Sequence, residues 1–117
     1  MDRRNIKLVL SYDGTQYHGW QWQKNALTIQ AVVEEKIQIL TREQVTVIAS
    51  GRTDAGVHAL HQVCHFLTHS DMDTESIRKG LNSLFPEDIF VRNAELVPLH
   101  FHARYSVKSK TYEYRLL

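Results

Sequence analysis

The chain has 117 residues, 43% of them apolar and 23% charged, and its 14 basic and 13 acidic side chains leave a formal charge of +1. That length fits one domain, the composition is that of a globular protein rather than a disordered tract, and so even a balance of charge is a weak footprint for nucleic-acid binding. The single cysteine, Cys64, excludes an internal disulfide, and no apolar run approaches the roughly 20 residues that a membrane helix needs.

The start, Met1 to Asn5, is charged, but a strand-like run follows it without a cleavage site, which argues against a signal peptide and for a cytoplasmic protein. Residues 6–12 place Ile6, Leu8, Leu10 and Tyr12 on one side, the period of a strand. Residues 13–27 are rich in Gly, Gln and Trp and read as a loop. Thr28 caps a predicted helix reaching Thr41, with Ile29, Val32, Val33, Ile37 and Leu40 on one stripe. A second strand is expected over Val45–Ser50 and a third over Leu60–Thr68, where Gln62, Cys64 and Phe66 alternate against His61, Val63, His65 and Leu67. Asp73 or Thr74 caps a second helix that presents Ile77, Leu81 and Leu84 and stops before Pro86. A fourth strand spans Asp88–Glu95. The order β-α-β-β-α-β predicts an α+β, ferredoxin-like (split βαβ) fold, a four-stranded antiparallel sheet with two helices on one face and the other face free. Residues 1–105 form this half. Residues 106–117 read as the first strand of a second half that is missing.

Between the second and third strands lies Gly51-Arg52-Thr53-Asp54-Ala55-Gly56-Val57-His58-Ala59. A carboxylate and a guanidinium two residues apart, with a glycine on each side, suit a charged site on a strand-ending loop; a turn with a local ion pair is the plainer alternative. The loop Tyr12-Asp13-Gly14-Thr15-Gln16-Tyr17-His18-Gly19-Trp20-Gln21-Trp22-Gln23 mixes aromatics with amides. Such side chains suit unpaired RNA, and they also suit a loop folded over the core by its two tryptophans.

GRTDAGVHA resembles the catalytic motif of the TruA family of tRNA pseudouridine synthases. Three further segments resemble that family in the same order: the Tyr12–Gln23 motif, Phe101-His102-Ala103-Arg104, and Lys110-Thr111-Tyr112-Glu113-Tyr114. The resemblance implies a pseudouridine synthase fold and an isomerase acting on uridines of the tRNA anticodon stem–loop, nucleotides 38 to 40. It implies Asp54 as the catalytic carboxylate, with Arg52, Arg104 and Tyr112 as substrate contacts, Tyr112 stacking on the extracted base. It implies a homodimer, with tRNA as partner and neither cofactor nor metal. A non-catalytic RNA-binding module of the same fold is the alternative.

The remaining candidates carry less. His61, His65 and His69 have the spacing of helical metal ligands, but on a strand each pair is about 13 Å apart, too far to share an ion bound at about 2 Å. His58 is expected to help position the signature loop. His100 and His102 read as surface or interface residues. Arg92, Arg104, Lys108, Lys110 and Arg115 gather late in the chain, as a path for phosphates or a solvated strand face.

Overall fold

The computed structural model of the chain describes residues 3–51 and 56–103. β1 (Arg4–Tyr12) turns Ile6, Leu8, Leu10 and Tyr12 into the core, as its alternation requires. α1 (Ile29–Thr41) starts at Thr28, whose hydroxyl accepts from the Ala31 N–H, and buries Ile29, Val33 and Ile37. It ends at Arg42, which takes a left-handed conformation with φ 63°. β2 (Ile48–Ala49) and β3 (Ala59–Thr68) flank the signature loop. α2 (Thr74–Leu84) starts at Asp73, whose carboxylate accepts from the Ser76 N–H, buries Ile77 and Leu81, and stops at Phe85 before Pro86. β4 (Ile89–Val97) completes the sheet.

The strand order is β2-β3-β1-β4 and every neighbouring pair is antiparallel. That is the ferredoxin-like arrangement expected from the element order. Leu8, Leu10, Cys64, Phe66 and Val91 meet Ile29, Val33, Ile37, Ile77 and Leu81 in one core. Fully burying each larger side chain there contributes about 1.5–3 kcal/mol. Register shifts interrupt β1 between Leu10 and Tyr12 against β3, and between Val9 and Leu10 against β4. Asn82 of α2 covers the second irregularity by bonding both the N–H and the carbonyl of Val91.

Three expectations need correction. The second strand is shorter than Val45–Ser50, covering Ile48–Ala49 with one further bond to β3 from the Ser50 N–H, and it starts late because the Val47 N–H donates instead to the Glu34 carboxylate on α1 at 2.9 Å. The loop over residues 13–27 contains a short 3-10 turn, Gly14–Gln16, nucleated by the Asp13 carboxylate. The sheet face away from the helices is not wholly free: Phe101 and His102 pack on His65, and His102 is half-buried there rather than a surface ring. The expected strand over 106–117 lies outside the described residues.

Candidate active site

The signature loop is held from both ends. On the incoming side the Ser50 N–H donates to the Val63 carbonyl at 2.7 Å, and the Gln62 amide donates to the Gly51 carbonyl at 2.6 Å. On the outgoing side the Gly56 N–H donates to the Tyr17 carbonyl at 3.1 Å. Gly56 has φ +78°, a backbone state that favours glycine. Arg52 and Asp54, between these anchors in sequence, lie outside the described residues, as do Arg104 and Tyr112.

The first motif forms the wall against which the loop rests. A Cβ on Gly14 would fall 1.9 Å from the Val57 carbonyl oxygen, so only glycine lets the two backbones approach this closely. The Gly14 N–H donates to His58 Nδ1 at 2.9 Å, and Asp13 Oδ1 lies 3.1 Å from that same nitrogen. The two contacts ask opposite things of Nδ1: it accepts from Gly14 when bare and donates to Asp13 when protonated. Asp13 also accepts from the Thr15 hydroxyl at 2.6 Å and the Thr15 N–H at 2.9 Å. These bonds, helped by His58, hold its carboxyl below the usual range.

The motif is itself anchored at several points. The Asp13 N–H donates to the Asp88 carbonyl at 2.9 Å, and the Tyr17 hydroxyl donates to the Asp88 carboxylate at 2.7 Å. Burial and that carboxylate raise the Tyr17 phenol well above its ordinary pKa. Trp20 is buried with its ring centroid 6.3 Å from that of Tyr12, whereas Trp22 is 56% exposed. Of the two tryptophans only the first folds over the core; the second is open to a ligand.

Beside this network is a cavity of about 410 Å³, lined in part by Tyr12, Asp13, His58, Leu60, Asp88 and Phe90. Leu60 is 74% and Phe90 49% exposed. Among the described residues its lining contains carboxylates and no Lys or Arg, and those residues suit the flat face of a base better than a phosphate. The roles of Asp88 and Gln62 were missed in the sequence. Gln62 left a signal, as a polar residue on the core-facing side of β3 beside Cys64 and Phe66. Asp88 left none, since its partners lie more than 70 residues away. Among the described residues no His, Cys, Asp or Glu cluster could hold a metal ion, and His61, His65 and His69 follow strand geometry. Arg92 is exposed on β4.

The model of the tRNA pseudouridine synthase family matches residues 8–106. The chain belongs to that family. The family match takes in the signature loop and the first motif that braces it. Among curated relatives, the tRNA pseudouridine synthase A of Thermoanaerobacter sp. (strain X514) is 50% identical over 114 residues, 97% of this chain and 47% of the relative. That of Ruminiclostridium cellulolyticum is 50% identical over 111 residues, 95% and 45% of the two chains. That of Caldicellulosiruptor bescii is 52% identical over 111 residues, 95% and 46%. The chain therefore spans about half the length of these family members. No helix among the described residues is long and apolar enough to cross a membrane.

Proposed function

We propose that this chain is the catalytic half of a tRNA pseudouridine synthase that converts uridine to pseudouridine in the anticodon stem–loop, at nucleotides 38 to 40. The observation that carries the reading is the family match over residues 8–106, which includes the GRTDAGVHA block with its flanking glycines anchored. In this reading the bond from uracil N1 to sugar C1′ breaks, the base turns, a bond from C5 to C1′ forms, the hydrogen on C5 leaves as a proton, and N1 takes up a proton in its place. Asp54 is the carboxylate that carries the step, either by attacking carbon or by deprotonating the sugar. Arg52 favours its ionised form or contacts phosphate, Arg104 contacts phosphate, and Tyr112 stacks on the extracted uracil, offsetting a few kcal/mol of unstacking. No cofactor takes part, and the enzyme works as a cytoplasmic homodimer with tRNA as partner.

The test is tritium release from a tRNA transcript labelled at uracil C5, because joining C5 to the sugar expels that hydrogen. It is run on this chain completed by the second half of the Thermoanaerobacter relative, with and without Asp54→Ala. The expected result is release that disappears in the variant. Release that persists in the variant overturns the role of Asp54. Binding without release by the completed protein, across several tRNAs, favours an RNA-binding module instead.

A further inference from the structure

The sheet face opposite the helices carries a closed polar cluster. Asn5 is 1% exposed and His65 is 5% exposed, on adjacent strands. The Asn5 amide nitrogen donates to the carbonyls of Pro98 at 3.1 Å and Phe101 at 3.0 Å. Its oxygen lies 2.9 Å from His65 Nδ1. With the nitrogen committed to two carbonyls, the oxygen must accept, and His65 Nδ1 must carry the hydrogen. That leaves His65 Nε2 bare, and it is buried with no hydrogen-bond partner among the described residues. The ring packs edge-on against Phe101, centroids 5.7 Å apart, and against His102 at 5.3 Å. Residues 98–103 thus form a strap across the sheet, closed by the Phe101 N–H on the Pro98 carbonyl and ending at the fully buried Ala103. The next residue in the chain is Arg104.

We propose that Asn5 and His65 are positioning residues that seat the 98–103 strap, and with it the point from which the chain continues to Arg104, and that protonating His65 unseats it. The consequence for RNA rests on Arg104 being a phosphate contact; the clamp does not. A protonated ring would carry a hydrogen on Nε2 with nothing among the described residues to receive it, and would bury a charge that none of them compensates. The charged neighbours do not relieve this. Lys7, opposite His65 in β1, is itself cationic and lies 3.0 Å from Glu95 of β4, with its ammonium 5.8 Å from the Phe101 ring centre. The strap adds a second imidazole, His102, and β2 offers only Ile48 across the ladder. Arg3, Glu43 and His69 line the cavity of about 320 Å³ that reaches His65, but the Glu43 carboxylate is taken by the Thr68 hydroxyl and the His69 N–H. Burial, with His102 beside it, holds His65 below the ordinary histidine range. A lowered pKa means the seated state prefers the neutral ring. Seating is complete above the ordinary histidine pKa and is lost as pH falls through the lowered one.

The experiment is amide hydrogen exchange on the 117-residue chain without RNA, from about pH 7.5 to about pH 5, corrected for intrinsic rates. It compares the unaltered protein with His65→Phe and Asn5→Ala. Between the ordinary histidine pKa and the lowered one, opening at Phe101 is expected to rise by up to about tenfold per pH unit, while Leu8 and Cys64 hold their protection. His65→Phe should abolish the pH dependence, and Asn5→Ala should open the strap throughout. An unchanged pH course in His65→Phe, or Phe101 opening together with Leu8, overturns the proposal. Nitrogen chemical shifts of His65 in the unaltered protein decide independently of whether the variants fold: a hydrogen on Nδ1 supports the clamp, and one on Nε2 refutes it. In the completed enzyme, Asn5→Ala should raise KM for tRNA more than it lowers kcat. An open strap with an unmoved KM would leave the clamp standing and refute the reading of Arg104.

Discussion

Gly14 and Gly80 both sit where a side chain would collide, with different consequences. A Cβ on Gly14 meets the Val57 backbone at 1.9 Å, and that backbone belongs to the signature loop. Gly14→Ala should therefore displace the loop and cost about 1–3 kcal/mol in urea unfolding. A Cβ on Gly80 meets a Leu40 methyl at 2.6 Å, the far end of a flexible side chain. There alanine also recovers about 1 kcal/mol of helix propensity, so Gly80→Ala should stay within about 1 kcal/mol of the parent. Tyr17 offers a titration test. Its phenol is raised by burial and by the Asp88 carboxylate, so the folded state prefers the neutral hydroxyl. The associated stability is present below the ordinary phenol pKa of about 10 and falls as pH rises above it. Tyr17→Phe should cost about 1 kcal/mol at neutral pH and flatten that part of the alkaline decline in urea midpoints. Cys64, whose burial raises its thiol, should supply a second decline that begins near pH 8.5 and survives the substitution.

At the scale of elements, the short β2 shows a helix competing with a sheet for the same backbone. Glu34 on α1 accepts from both the Val47 N–H and the Gln30 amide, at 2.9 and 3.0 Å. Residues 45–47 had the β-branched composition of a strand, but a carboxylate reached their backbone first. Glu34→Ala should expose the Val47 amide to rapid hydrogen exchange and cost about 1 kcal/mol, while Ser50, whose N–H donates to the Val63 carbonyl, stays protected. Equal exposure of Ser50 would mean that Glu34 anchors all of β2. The helices behaved as their sequences indicated, because Thr28 and Asp73 are caps that act within one turn and the apolar stripes meet the face that β1 and β3 offer.

For the whole molecule, the chain spans about half of its relatives, 47% of the Thermoanaerobacter protein. Its formal charge of +1 provides little general attraction to phosphate. The 117-residue chain alone should therefore bind tRNA weakly, lose that binding as salt is raised, and show no measurable tritium release, whereas the completed protein turns over. Turnover by the 117-residue chain at a rate matching the completed protein would show that the second half contributes nothing to the chemistry.

The sequence by itself determined the element order, the core-facing residues of β1, the Thr28 cap, a second cap at either Asp73 or Thr74, and the family. Those depend on short-range periodicity, local capping bonds and contiguous motifs. Tertiary structure decided how the site is braced. Asp88 holds Tyr17, Gln62 holds Gly51, Gly14 fits under Val57, and Asn5 ties residues 98–103 to His65. Each of these contacts joins groups brought together only by strand pairing and chain reversal. Their energies reside in the geometry of single hydrogen bonds and close approaches, which neither spacing nor composition encodes.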